Sequence, residues 1–231
     1  MTNQLSLGVN LRDDSTLDSF FVGSNAQAWS HVKTSAAGKG ESFLYIWGES
    51  GSGVTHLLQG ACQLCASNGR TAMYLPLSDL AKAGPSCLEG LEQLNLVCLD
   101  DIHEIRGNPL WEERVFHLFN LIRDNKKTRL IIGANAPPKQ TQIQLADLVS
   151  RLTWGVTFQL ITLSDGQIVE ALKIRAQARG LILSDEVAYY LLRRCPRTMS
   201  VLYQHLDTLD KASLVAQKKL TIPFVKSTLC L

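Results

Sequence analysis

The stretch FLYIWGESGSGVTHLL, residues 43–58, joins a short apolar run to a glycine-rich turn and then to an apolar helix start. Gly48 and Gly53 have the spacing of a phosphate-binding loop, and Thr55 supplies the hydroxyl that ends such a loop. In this arrangement backbone N–H groups and the N-terminus of the following helix bind phosphate. Position 54, however, is valine where the motif carries lysine. The stretch by itself predicts either a nucleotide site that lacks its usual cation or an ordinary Gly/Ser loop.

The bulk composition excludes several classes of protein. The 231 residues are 45% hydrophobic, which suits one large domain or two smaller ones with a real core. The 23 basic and 21 acidic residues nearly balance, so any DNA contact is expected to be indirect or weak. No signal peptide and no membrane-spanning run are recognisable, and we expect a cytoplasmic protein without a membrane partner. Cys62 and Cys65 lie in an apolar helical stretch without a second pair, which favours buried thiols over a zinc or redox site.

Apolar patterns predict strands that alternate with helices along the first two thirds of the chain. The predicted strands are 43–47, 71–77, 96–101, 128–135 and 156–163, and the clearest helices are 55–67 and 109–125. This alternation predicts an α/β fold with a mostly parallel five-stranded sheet covered on both faces. After residue 163 the pattern is helical throughout, starting with a capping box from Ser164 to Gln167 and a second N-cap at Ser184. The predicted organisation is a flexible segment 1–12, an α/β core 13–163 and a helical subdomain 164–231.

Three polar residues are candidates for a site: two lie at the ends of predicted strands and one lies on a short helix before the last strand. Asp100 ends the apolar run LVCLDDIHE, where a carboxylate is costly unless it is solvated or paired with a metal. If the glycine loop binds phosphate, Asp100 is the acidic residue expected to hold Mg²⁺ beside it. Without a phosphate loop, Asp100 would simply cap the turn that follows the strand. Asn135, before APP, either orients water at a γ-phosphate or forms a turn. Arg151 is either a surface residue or an arginine finger, which neutralises charge on phosphate held by a neighbouring molecule.

Taken together, these residues resemble the AAA+ ATPases of the bacterial initiator DnaA group. The resemblance runs from about residue 4 to the end of the chain. The segments that carry it are TLDSFFVGSN (16–25), the glycine loop, LVCLDDI, LADLVSRLTWG (145–155) and LDTLDKASLVAQKKLTIPFVK (206–226). It implies a RecA-like AAA+ core followed by a small helical lid, with a nucleotide between them.

The resemblance also implies a role for particular residues. The base is expected against Phe20, Phe21 and Val22, and the phosphates against Gly48, Ser50, Gly51, Ser52, Gly53, Val54, Thr55 and His56. Thr55 and Asp100 would hold Mg²⁺, with Asp101 and the sensor residue Asn135 assisting hydrolysis. Arg151 would be the arginine finger that acts in trans. In the lid, Ser200 stands where the family has its sensor arginine, and Arg197 lies one turn earlier.

Within this group the chain is most similar to the regulatory inactivators of DnaA. An initiator would continue beyond the lid into a helix-turn-helix DNA-binding domain, whereas this sequence stops there. QLSLGV, residues 4–9, is similar to the peptide that docks on the bacterial sliding clamp. Gln4 would make polar contacts, and Leu5, Leu7 and Val9 would fill apolar pockets. The family usually ends this peptide with Pro and Leu, so Gly8 and Val9 reduce its preorganisation.

The absence of basic side chains at positions 54 and 200 predicts weak binding of the β- and γ-phosphates. Each lost charge-assisted contact costs about 1.5–3 kcal/mol. We therefore expect ADP or another nucleoside diphosphate, with ATP as an alternative, and little or no hydrolysis by the chain itself. The resulting hypothesis is a negative regulator of replication initiation that binds the DNA-loaded clamp and stimulates ATP hydrolysis by DnaA. The alternatives are an autonomous helicase-loader-type ATPase and an adaptor with a vestigial nucleotide site. A homodimer is compatible with each of them.

Overall fold

The computed structural model describes residues 15–80 and 84–231, without the side chain of Ser200. The chain forms two compact units. The first comprises the described residues up to Glu49 together with Gly53–Ile161, and the second comprises Ser50–Ser52 and Thr162–Leu231. No helix in the described ranges is both long and apolar enough to cross a membrane.

The first unit is built on a five-stranded sheet in which every neighbouring pair is parallel. The strands are β1 Phe43–Gly48, β2 Ala72–Pro76, β3 Leu96–Asp100, β4 Arg129–Ala134 and β5 Val156–Leu160. The spatial order β2-β3-β4-β1-β5 places the β1 strand, which feeds the glycine loop, beside β4. The helices are α1 Ala26–Ala36, α2 Val54–Ser67, α3 Leu77–Leu80, α4 Pro109–Asn125 and α5 Ala146–Leu152. The predicted α/β class and parallel sheet are confirmed.

Two apolar clusters cover the sheet, one on each face. The first includes Trp111, Phe119 and Leu148 from α4 and α5, and the second includes Val32, Leu57 and Leu58 from α1 and α2. All five residues of β3 are buried, as expected for a central strand of a parallel sheet. The sheet is therefore a rigid support whose carboxyl-terminal edge carries the glycine loop.

Local capping explains where the longest helix begins. The Asn108 side chain accepts a hydrogen bond from the Trp111 backbone at 3.4 Å, and Pro109 occupies the first turn. The buried Glu112 then anchors the neighbouring loop, because its carboxylate accepts backbone hydrogen bonds from Gln144 and Leu145. The prediction of a helix over 109–125 is confirmed at both ends.

The fifth strand ends earlier than predicted. It stops at Leu160 and not at residue 163. At the next residue the buried Asn25 side chain replaces a partner strand, because it donates to the Ile161 carbonyl at 3.0 Å and accepts from the Ile161 amide at 2.8 Å. Helix α1, directly after Asn25, was not predicted from the sequence.

The second unit is helical from residue 165 onward. Its helices are α6 Asp165–Ala178, α7 Asp185–Arg194, α8 Met199–Ala216 and α9 Ile222–Leu229. The predicted capping box is present, with Ser164 and Gln167 exchanging side-chain and backbone hydrogen bonds, and Ser184 caps α7. The helices enclose an apolar core of their own, with fully buried members Leu172, Leu191, Leu202, Leu206 and Val225. The predicted helical subdomain is thereby confirmed.

Candidate functional site

The glycine loop connects the carboxyl end of β1 to the N-terminus of α2. Gly51 and Gly53 have positive φ angles of 84° and 100°, a conformation that side-chain-bearing residues rarely adopt. The N-cap residue of α2 is Gly53, which has no side chain to cap the helix. The Ser52 hydroxyl is buried and has no hydrogen-bond partner among the described residues. A buried hydroxyl without a partner, next to an uncapped helix N-terminus, fits a phosphate group.

Val54 faces the sheet rather than solvent. It is 9% exposed and belongs to the apolar cluster on the α2 face. A Cβ atom at Gly133 of β4 would lie 2.9 Å from a Val54 methyl carbon and 2.4 Å from the Asp100 Oδ1 atom. Val54 and the Asp100 carboxylate are therefore neighbours across the bare backbone of Gly133. The position that carries a cation in the usual motif is here occupied by an apolar side chain near a buried acid.

Asp100 is buried to 1% exposure at the end of β3. Its Oδ2 accepts a hydrogen bond from the Tyr74 hydroxyl at 2.8 Å, and its Oδ1 accepts one from the Asp101 amide at 3.0 Å. The Thr55 side chain also lies near enough to favour the ionised form of the carboxylate. Burial raises the pKa of Asp100, and the charge of Asp101 adds to this effect, while the hydrogen bonds from Thr55 and Tyr74 oppose it. The acid is thus held by hydrogen bonds, without an ion pair to any described residue.

The pairing of Thr55 with Asp100 fits a magnesium ion. Hydroxyl and carboxylate oxygens are the ligands that Mg²⁺ prefers, usually completed by phosphate oxygens and water. Among the described residues there is no group of three or more His, Cys, Asp or Glu side chains that could hold a metal. A cation at this position would therefore need the phosphates of a nucleotide as additional ligands.

Tyr74 is a site residue that the sequence did not reveal. It lies on β2 and pairs in register with Cys98, two residues before Asp100. Burial, followed by the charge of Asp100, raises the pKa of Tyr74, so the hydroxyl remains a donor near neutral pH. A tyrosine in the predicted strand TAMYLPL was visible, but its contact depends on β2 lying beside β3, which the local pattern does not specify.

Asp101 and Asn135 lie at the same edge of the sheet. Asp101 has a positive φ of 55°, an unusual backbone conformation for a residue with a side chain. Asn135 is exposed directly after the last residue of β4. Because the strands are parallel and β4 lies between β1 and β3, both residues follow strand ends on the loop side. The sheet thus collects the predicted loop, acid and sensor residues at one edge.

The segment expected to contact the base packs against the start of α2. The centroids of the Phe20 and His56 rings lie 5.4 Å apart in an edge-on arrangement. A Cβ atom at Gly53 would lie 2.8 Å from the Phe20 ring. The His56 Nε2 atom is 2.8 Å from the Thr16 carbonyl oxygen. Phe20 is buried, whereas Phe21 and Val22 are half-buried. His56 and Phe20 therefore anchor the segment, and Phe21 and Val22 are its accessible members.

Arg151 lies on α5, half-buried against aromatic rings. Its guanidinium carbon is 5.5 Å from the Trp154 ring centroid and 6.0 Å from that of Phe116. It lines a small cavity together with Phe43, the first residue of β1. The glycine loop follows the other end of β1, and a six-residue strand is about 17 Å long. Arg151 is therefore out of reach of the loop of its own chain.

The remaining predicted residues lie elsewhere. Arg197, in the second unit, is exposed and pairs with Asp165 at 3.0 Å. Ser200 is the second residue of α8. The predicted clamp-binding segment, with Gln4, Leu5, Leu7 and Val9, lies outside the described residues.

The parallel sheet, the glycine loop and the helical second unit define a DnaA-type AAA+ protein. Residues 165–229 match the family model for the Hda lid domain, and residues 81–159 match the model for the bacterial DnaA ATPase domain. The chain belongs to the Hda family of DnaA-homologous AAA+ proteins.

Individual proteins and solved structures are similar to this chain over most of its length. An uncharacterized protein of Haemophilus influenzae is 45% identical over 229 residues, covering 99% of each chain. The crystal structure of domain III of Thermotoga maritima DnaA superimposes with a TM-score of 0.77 at 22% identity, covering 96% of this chain and 98% of that one. AMPPCP-bound DnaA of Aquifex aeolicus gives a TM-score of 0.73 at 25% identity, covering 88% of this chain and 67% of that one.

Proposed function

We propose that this protein switches off replication initiation by stimulating ATP hydrolysis on the initiator DnaA. In this proposal it binds a nucleotide, docks on the DNA-loaded sliding clamp and presents Arg151 to ATP held by DnaA. The observation that carries the proposal is the position of Arg151. Its side chain makes no ion pair or hydrogen bond with residues 15–80 and 84–231, and it lies at the sheet end opposite its own glycine loop.

The chemistry of an arginine finger suits this side chain. A guanidinium carries a permanent charge and five N–H donors, and it can pair with phosphate oxygens in a bidentate manner. Placed at a phosphate held by another molecule, it stabilises charge in the transition state and typically increases the rate by about 10³- to 10⁵-fold. Because Arg151 cannot reach the glycine loop of its own chain, we propose that it acts on ATP bound by a second protein.

The nucleotide of this chain has a structural role in the proposal. The backbone of Gly51 and Gly53 and the hydroxyl of Ser52 bind the phosphates, and Thr55 and Asp100 hold Mg²⁺. A bound nucleotide would complete the metal ligands with its phosphate oxygens. Because Val54 supplies no charge, ADP or another nucleoside diphosphate is the favoured ligand. The AMPPCP-bound DnaA relative supports nucleotide binding by this chain.

The two protein partners are inferred from different parts of the chain. The family relationship to DnaA supports an AAA+ contact with DnaA. Gln4, Leu5, Leu7 and Val9 are proposed to bind the sliding clamp. DNA contact by the chain itself would be weak, in keeping with a net charge of +2.

The deciding experiment measures ATP hydrolysis by DnaA in the presence of this protein and clamp loaded on DNA. Arg151→Ala should lower the stimulated rate by about three orders of magnitude or more, because the finger charge is lost. Clamp binding should be unchanged. Arg114→Ala is the matched control, since Arg114 is an exposed arginine of the same unit whose Glu89 ion pair is 3.9 Å long. Stimulation by Arg151→Ala at the wild-type rate would show that the finger assignment is wrong.

An autonomous helicase-loader-type ATPase is the second candidate. The gathering of Asp100, Asp101 and Asn135 at the loop edge favours it, and the apolar Val54 opposes it. Steady-state ATP turnover by the purified protein alone, at rates ordinary for a motor, would support this alternative. Titration calorimetry with ADP and ATP tests the third alternative, because an adaptor with a vestigial site would give no heat with either nucleotide.

A further inference from the structure

Trp154 is a large aromatic side chain left 58% exposed beside Arg151. Two guanidinium groups lie over its ring, that of Arg151 at 5.5 Å and that of Arg123 at 6.0 Å from the centroid. Among the aromatic side chains, tryptophan attracts a cation over its ring face most strongly. Trp154 is therefore a surface tryptophan whose ring interacts with two arginine side chains.

The Trp154 ring packs against two other aromatic rings and lies beside strand β1. It packs on Phe43 at 6.3 Å and on Phe119 at 6.1 Å, and these two rings are themselves stacked at 4.3 Å. A Cβ atom at Gly155 would lie 2.4 Å from the Phe43 carbonyl oxygen, so the backbone after Trp154 lies directly against β1. The Trp154 amide also donates to the Arg151 carbonyl at 3.0 Å. Strand β1 and the last turn of α5 together hold the ring under the guanidinium.

This type of support differs from an ion pair in one respect. A carboxylate partner would occupy the N–H donors of Arg151 and would have to be displaced by an incoming phosphate. A stacked ring attracts the face of the guanidinium and leaves the donors at its edge available. The Arg151 Nε atom is enclosed without a hydrogen-bond partner among the described residues. The Asp124 carboxylate is near enough to be influenced by the charge of Arg151, but its direct ion pair is with Arg123. Arg151 is thus restrained by the ring, and no described carboxylate forms a direct ion pair with it.

We propose that Trp154 is a positioning residue for the Arg151 guanidinium. The inference rests on the proposed function, because it concerns the same phosphate-directed arginine. By restricting the side chain before the partner arrives, the ring reduces the entropy lost when the guanidinium meets the phosphate in the transition state. Trp154 would therefore govern the maximal stimulated rate rather than the affinity for DnaA.

The test compares Trp154→Ala, Trp154→Leu and Trp154→Phe in the DnaA hydrolysis assay, over a full titration of each variant. Loss of the ring face should lower the maximal rate by about five- to tenfold in the Ala and Leu variants. Leu keeps apolar bulk, and Phe restores an aromatic face and should recover most of the rate. The half-saturating concentration should stay within about twofold, as expected if ground-state binding is unaffected. Leu110→Ala is the control, because Leu110 is 67% exposed at the start of α4.

Each outcome has a distinct meaning. If Trp154→Leu keeps the wild-type maximal rate, or if only the half-saturating concentration rises, the ring is dispensable or is a docking contact, and the positioning proposal is overturned. If Trp154→Ala slows hydrolysis further in an Arg151→Ala background, the two residues act separately and the proposal is also overturned. If Arg151→Ala itself stimulates normally, the proposed function fails and not merely the role of Trp154. Thermal unfolding of the Leu and Phe variants checks that both are folded.

Discussion

Replacing Val54 by lysine would restore the usual cation of the glycine loop. The structure determines what the lysine would meet. Val54 is 9% exposed, and its side chain lies beside the Asp100 carboxylate across Gly133. Burial of a valine side chain is worth about 1.5–2 kcal/mol, most of which the methylene stem of a lysine can retain. In the free protein, the attraction between the ammonium and Asp100 would offset the remaining loss.

The expected gain in affinity follows from one added phosphate contact. A charge-assisted hydrogen bond is worth about 1.5–3 kcal/mol, which corresponds to an increase of about 10- to 150-fold for a triphosphate. A loop lysine reaches the β- and γ-phosphates, and ADP offers only the first of these. We therefore expect Val54→Lys to improve ATP binding about tenfold more than ADP binding.

Titration calorimetry with ADP and ATP, each with Mg²⁺, measures both gains. Val54→Met is the matched control, because it has a similarly long side chain without a charge. Equal gains for ADP and ATP would refute the argument that the missing cation sets the preference for a diphosphate. The same result with Val54→Met as with Val54→Lys would show that packing, and not charge, controls the loop.

Two further variants test the buried surroundings of Asp100. Because burial raises the pKa of Asp100, the folded chain retains a proton that the unfolded chain has lost, and stability falls as the pH rises from about 4 through the raised pKa. Asp100→Asn should remove this pH-dependent loss of stability and raise the unfolding temperature at pH values above the raised pKa. Thermal scans from acidic to neutral pH measure the effect, and an unchanged pH profile would contradict a raised pKa of Asp100. Gly133→Ala would place a methyl group 2.4 Å from the Asp100 Oδ1 atom and 2.9 Å from Leu58, with an expected destabilisation of about 1–3 kcal/mol in urea unfolding. Gly166→Ala, in α6 with nothing within 4 Å of the new Cβ atom, is its control and should be neutral or slightly stabilising.

Much of the candidate site could be proposed from the sequence, because its residues lie at the ends of predicted strands. Gly48, Asp100 and Asn135 each end an apolar run, and parallel strands bring their carboxyl ends to one edge. Tyr74 was not predictable, because its hydrogen bond to Asp100 depends on the neighbouring positions of β2 and β3. The proposed role of Trp154 was not predictable for a similar reason, since Phe43 and Phe119, against which its ring packs, are distant in sequence.

The sequence alone determined most of the helices and strands, although not helix α1 or the end of β5. The helix over 109–125 and the cap at Ser164 depend on residues within a few positions of one another, so periodicity and capping predict them. Tertiary structure decided which side chains from distant parts of the sequence lie next to one another. Asn25 terminates β5 from 136 residues away, Tyr74 satisfies a buried acid that Val54 leaves without a cation, and Arg151 lies at the far end of the sheet from its own loop. Such contacts arise from the order and register of strands, which long-range packing selects and no local pattern encodes.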